Sequence, residues 1–131
     1  MPMSRISLLR GKSADYLQAV QAGLHRALVD AFEVPQTDRF QVLEQLAPGE
    51  LVFDRDYLGG PRSDDFVLIV VTAGRPRATA TKQRFFRQVV DNLGHSPGIH
   101  PQDVMIVITT TGTDDWSFSD GVGQIMPGLA R

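Results

Sequence analysis

FVLIVVTAGRPR, residues 66–77, decides the architecture. Its first half, Phe66 to Val71, is an unbroken apolar run, far too short to cross a bilayer and suited to a buried strand. Gly74 ends the strand FVLIVVTAG, and GRPRATATKQ (74–83) then reads as the start of a helix. That start carries Arg75 and Arg77 where the helix dipole repels cations, so the pair calls for an anion between them, a carboxylate first of all. Pro76 fixes its own φ and biases Arg75 toward extended backbone, which lets the two arginines project to one side of a strand end. A guanidinium matches the two oxygens of a carboxylate in one plane, and an ammonium does not. A solvated Arg-Pro-Arg turn is the competing reading.

Working outward, Phe85, Phe86, Val89, Val90 and Leu93 recur at helical spacing, and DVMIVITTT (103–111) reads as a further strand. The first half repeats the pattern. RISLL (5–9) is a strand that stops at Arg10-Gly11, and Ser13 is placed to cap a helix. Leu17, Val20, Leu24, Leu28 and Ala31 share one face of that helix, Pro35 closes it, and RFQVLEQL (39–46) is the next strand. APGE and YLGGPRSDD are turn-rich, with LVFD (51–54) between them as a short hairpin arm. A shift of about 65 positions lays Arg10 on Arg75, Val20 on Phe85, Leu24 on Val89, Leu28 on Leu93 and Val42 on Val107, an internal duplication. The expected fold is therefore α+β: one domain over 1–131 with two β-α-β units, roughly 1–60 and 64–131, sharing a four-stranded sheet with both helices on one face. The other face then needs cover, and a symmetric assembly is the simplest supplier.

Composition narrows the function classes. The 131 residues carry a net charge of -2, are 42% apolar and include no cysteine. Bulk charge therefore gives no hint of nucleic-acid or membrane binding, and disulfides, thiolate metal sites and a cysteine nucleophile are excluded. The first twenty residues hold Arg5, Arg10, Lys12 and Asp15 and leave no apolar stretch of signal-peptide length, so a cytoplasmic protein is expected.

Pro2 follows the initiator methionine, and Met before a small residue such as proline is trimmed after synthesis. Trimming exposes a secondary amine at the start of a core strand, able to act as base, acid or nucleophile. Met-Pro is also simply a common start. Trp116 and Phe118 in DDWSF face the same way in extended chain and can exclude water, or else serve as core or subunit-interface aromatics. Asp38, between helix and strand, is by position a turn former. His25, His95 and His100 have no metal spacing, DGVGQIMPG (120–128) reads as a C-terminal loop packing on a neighbouring subunit, and Arg62 reads as a solvated turn residue.

Taken together, an N-terminal proline heading a strand, the β-α-β duplication, AFEVPQTDRF around Asp38, GRPR at Arg75 and Arg77, and DDWSF at Trp116 and Phe118 resemble the tautomerase superfamily, founded on 4-oxalocrotonate tautomerase. Within it the chain is most similar to the malonate semialdehyde decarboxylases. The resemblance implies a cofactor-independent homotrimer acting on a small carboxylate, with Pro2 as the catalytic amine and Arg75 and Arg77 holding the substrate. It also implies Asp38 beside Pro2, where it orients a water or keeps the amine protonated, and Trp116 with Phe118 walling the pocket. Phe40 stands where the decarboxylases have tyrosine and Ile125 where they have an aromatic, so pocket shape and substrate differ. Three readings are open: a decarboxylase or hydratase of small 3-oxo or unsaturated acids, a keto-enol tautomerase of 2-oxo acids such as phenylpyruvate, and a non-catalytic trimeric anion-binding protein if Met1 stays attached.

Overall fold

The computed structural model describes residues 2–124. Met1, Ile125 and the tail of the DGVGQIMPG stretch lie outside them. In chain order the elements are β1 (Pro2–Leu9), α1 (Ala14–Ala31), β2 (Gln41–Leu46), β3 (Val67–Ala73), α2 (Thr79–His95) and β4 (Val104–Thr110). The strands form one sheet in the order β2-β1-β3-β4. β1 runs parallel to β2 and β3 parallel to β4, while β1 and β3 meet antiparallel at the centre with Ile6 opposite Ile69. Each half is thus a strand, a helix and a parallel strand, and the expected α+β arrangement is the one observed.

Alternation along β1 and β3 builds the core. Ile6, Leu8, Val67, Ile69 and Val71 point to the helical side and are buried with Val20, Leu24 and Leu28 of α1 and Phe85, Val89 and Leu93 of α2. The helix residues are the ones that the duplication pairs, which puts both helices on the same face. The helices approach closely at Gly23, where a Cβ would stand 3.0 Å from the Leu93 side chain, and Asn92 Nδ2 donates to the Gly23 carbonyl at 2.9 Å. Ser13 caps α1, its hydroxyl accepting from the Tyr16 amide at 3.1 Å.

Among the described residues, no helix covers the opposite face of the sheet. Register lines up Val42, Arg5, Val70 and Val107 across it, and Val42, Val107 and the neighbouring Met105 are 42%, 39% and 45% exposed. Among the described residues no helix is long and apolar enough to cross a membrane.

One expectation fails. Leu51–Asp54 form no hairpin arm, only a single bridge between Pro48 and Leu51. Phe53 instead stacks on Phe66 at 4.2 Å, and the Asp54 carboxylate accepts the Asp56 and Tyr57 amides, which turns the chain before a ladder can start.

The end of α1 answers the question that Arg75 and Arg77 raise. α1 has no basic residue in its last turn. Arg77 supplies the cation from the other half of the chain: its Nε and Nη2 donate to the Phe32 carbonyl at 3.3 and 3.1 Å, its Nη1 donates to the Arg75 carbonyl at 3.0 Å, and its guanidinium lies 4.3 Å over the Phe32 ring. A guanidinium that sits badly ahead of α2 sits well at the negative end of α1. Arg77 is buried and Arg75 exposed, so the two are not equivalent. Arg77→Ala is expected to lower stability by about 1.5–3 kcal/mol in chemical denaturation, because the Phe32 carbonyl stays buried without its charged donors. Arg77→Lys should recover only part of that loss, whereas Arg75→Ala should leave the unfolding midpoint unchanged.

Candidate active site

The topology brings one end of all four strands together: the N-terminal ends of β1 and β2 and the C-terminal ends of β3 and β4. Pro2 begins β1, is buried, and pairs with Ala73, two residues before Arg75. The Ala73 carbonyl accepts the Thr111 amide at 2.8 Å and the Thr111 hydroxyl at 3.3 Å. That hydroxyl in turn accepts the Trp116 indole N–H at 2.7 Å, a bond that orients the ring. Trp116 stacks on Phe118 with ring centroids 5.5 Å apart, and Phe118 meets Phe40 at 5.7 Å. Phe40 closes the circuit, since its carbonyl accepts the Ser4 amide at 2.9 Å beside the start of β1. Residues far apart in sequence are therefore linked to one another at the sheet end where β1 begins. Phe40 and Phe118 are 51% and 43% exposed, which leaves the aromatic wall open on one side.

Charge in this end is unevenly held. Arg75 Nη2 donates to Glu33 Oε1 at 2.9 Å, and that bond holds the Glu33 carboxyl below its usual range. Burial, and then the positive charge of Arg75, push the Arg77 guanidinium down from its ordinary value, while Glu33 and Asp38 act the other way. Arginine remains a cation under such pressure. Asp38 follows the turn closed by its own amide on the Pro35 carbonyl at 3.0 Å, is half-buried, and lies near enough for Arg77 to feel its charge. The anion expected between the arginines is thus divided: Arg75 has a side-chain carboxylate and Arg77 the end of α1.

Three groups at this end escaped the sequence reading: Glu33, the Phe32 carbonyl and ring, and the Thr111 hydroxyl, whereas Phe40 is legible there as a departure that alters the pocket. Of these only Glu33 leaves a trace in sequence, as an acid standing just past a helical run where glycine is the usual residue. The weak signals lie elsewhere. His25 is buried and its Nε2 bonds to the Gln36 carbonyl at 2.7 Å. Arg62 Nη1 donates to the Asp54 carbonyl at 3.1 Å. Arg62 lines a cavity of about 570 Å³ with Phe53, Phe66, Leu68 and Met105, reached from the start of β4 and so at the far end of the sheet from Pro2. Its walls are chiefly apolar and its charged groups are spent on the loop itself. Among the described residues no group of three His, Cys, Asp or Glu could hold a metal ion.

Comparison with known proteins identifies the family and the fold. Two family models described as tautomerase enzyme match residues 38–119 and 2–60. The probable tautomerase YusQ of Bacillus subtilis (strain 168) is 30% identical over 126 residues, covering 96% of this chain and 99% of that protein. Crystal structures of wild-type, mutant and inactivated malonate semialdehyde decarboxylase, described as a basis for its decarboxylase and hydratase activities, superpose with a TM-score of 0.85 at 33% identity, covering 92% of each chain. A fused 4-OT wild-type symmetric trimer shares the fold at 16% identity and a TM-score of 0.76, over 92% of this chain and 94% of that one. With family models matching both halves and a relative matched along nearly its whole length, the chain belongs to the tautomerase superfamily and is an enzyme of that group.

Proposed function

We propose that this enzyme is a decarboxylase or hydratase of small 3-oxo or unsaturated carboxylic acids, with Pro2 as its catalytic amine once Met1 is removed. The observation that carries the reading is the meeting of Pro2, the Arg75 loop and the Trp116–Phe118 wall at one sheet end. The likeness to malonate semialdehyde decarboxylase over 92% of the chain supports it. Malonate semialdehyde is the natural test substrate.

The chemistry follows from charge. Breaking the bond to the carboxylate sends its electron pair into the adjacent carbonyl, carbon dioxide departs, and the enolate takes a proton to give acetaldehyde. A protonated Pro2 stabilises that enolate by donating to the carbonyl oxygen, and Asp38 favours the protonated amine. Gripping the carboxylate harder does not help, because its charge disappears in the transition state. The work of Arg75 and Arg77 is orientation: they hold the breaking bond perpendicular to the carbonyl plane. Trp116 and Phe118 keep water out, which strengthens each of these interactions. For hydration of an unsaturated acid, Asp38 instead orients the attacking water.

A second reading, keto-enol tautomerase, draws on the Bacillus relative named a probable tautomerase. There a neutral Pro2 moves a proton between carbon and oxygen of a 2-oxo acid such as phenylpyruvate.

The subunit is proposed to act as a homotrimer. The open sheet face and the half-exposed Phe40 and Phe118 are the apolar surface that neighbouring copies would cover. The symmetric trimer among the structural neighbours is in keeping with this.

Three outcomes are expected. With Met1 removal verified by intact mass, Pro2→Ala should lower turnover of malonate semialdehyde by about 10²–10⁴-fold, and equal turnover by both proteins would take Pro2 out of the mechanism. In a pH-rate profile, activity on malonate semialdehyde should fall as the Pro2 amine loses its proton; activity that rises instead, with phenylpyruvate the better substrate, favours the tautomerase. Sedimentation should give the mass of three chains, and Val107→Glu, which sets a charge on the open face, should shift the protein toward single chains.

A further inference from the structure

Glu33 occupies a position that its backbone does not favour. It stands just after the end of α1 with φ 60, the left-handed region where glycine is the ordinary residue and a longer side chain is strained. The turn is closed by the Val34 amide, which reaches back to the Leu28 carbonyl at 3.3 Å, and that closure needs no carboxylate. What the carboxylate does is meet guanidinium. It accepts from Arg75 at 2.9 Å, and Arg77 and Arg84 add to the attraction. The side chains of the pair are 49% and 55% exposed, so the bond is weak and exchangeable.

We infer that Glu33 is a specificity-determining residue of the site: a resident carboxylate on Arg75 that an incoming carboxylate must displace or lie beside. This rests on the reading that Arg75 receives the substrate's carboxylate. Either route weakens anion binding, by competition for the same N–H donors or by repulsion between like charges. The repulsion acts on each negative charge of the ligand, so a dianion loses more than a monoanion. Glu33 thereby favours substrates with a single carboxylate, a 3-oxo monoacid over a diacid. The Arg75 bond keeps Glu33 ionised below the usual carboxylate range, so the discrimination holds wherever the substrate itself is ionised.

The test measures binding of malonate and propanoate by NMR titration near neutral pH. It uses wild type, Glu33→Gln, Glu33→Gly, Arg75→Ala and the double variant Glu33→Gln/Arg75→Ala. Asp15→Asn, in the first turn of α1 and so at its other end, controls for net charge. Both Glu33 variants should bind malonate about threefold tighter or better, with a smaller gain for propanoate and none for Asp15→Asn. In the Arg75→Ala background the Glu33→Gln gain should shrink. With malonate semialdehyde, Glu33→Gln should lower KM by a larger factor than it changes kcat. Glu33→Gly relieves the strained φ, so it guards against a loss of folding being mistaken for a loss of binding. If Glu33→Gln and wild type bind malonate equally while Arg75→Ala weakens it, Glu33 is a bystander and the anion site stands. If Arg75→Ala binds as wild type does, or no protein binds either acid, the anion-site reading fails and takes the inference with it.

Discussion

The antiparallel pairing of β1 with β3 is the constraint on which the rest depends. It joins two β-α-β units that could not bury their helices separately, and it sets the start of β1 against the end of β3. Because successive strand residues alternate between faces, a slip of one position would turn Ile6 and Ile69 out of the core and move Pro2 away from Ala73. Burial of the helical face therefore fixes the register, and the register fixes what stands beside Pro2. The same apolar packing that stabilises the fold assembles its chemistry.

Much of this is written in the sequence. Apolar runs with β-branched residues mark β1, β3 and β4, and the helical spacing of Val20, Leu24 and Leu28 repeats in Phe85, Val89 and Leu93, because those side chains fill equivalent places in one core. Local rules also identify Ser13 as a cap. They fail at LVFD, where apolar character alone does not decide between pairing in a ladder and stacking on Phe66. The candidate site is legible only as residue types. Nothing local says that Arg77 reaches back to Phe32, 45 positions earlier, or that the Thr111 hydroxyl holds the indole of Trp116, since both depend on the packing of α1 and β4 around the centre of the sheet.

The two arginines show how similar residues part company. Burial, a ring beneath it and two carbonyls commit Arg77 to the end of α1, leaving it a fixed positive charge with donors to spare. Arg75, exposed and paired with Glu33, can change partners. A rigid cation beside an exchangeable one is the pairing that the proposed reaction calls for, with an acid held in one orientation and its remainder then released.

The duplication has one last consequence. The shift that lays the first half on the second carries Pro2 onto Val67, whose nitrogen follows Phe66 in mid-chain and is an amide without basicity. Arg10, the counterpart of Arg75, spends its guanidinium on the Gln45 carbonyl. Of two architecturally matched poles, only the one that begins at Pro2 can host the amine chemistry proposed above, once Met1 is removed. On that reading the matched pole carries structure alone, and the duplication shares a fold between its halves without sharing a site.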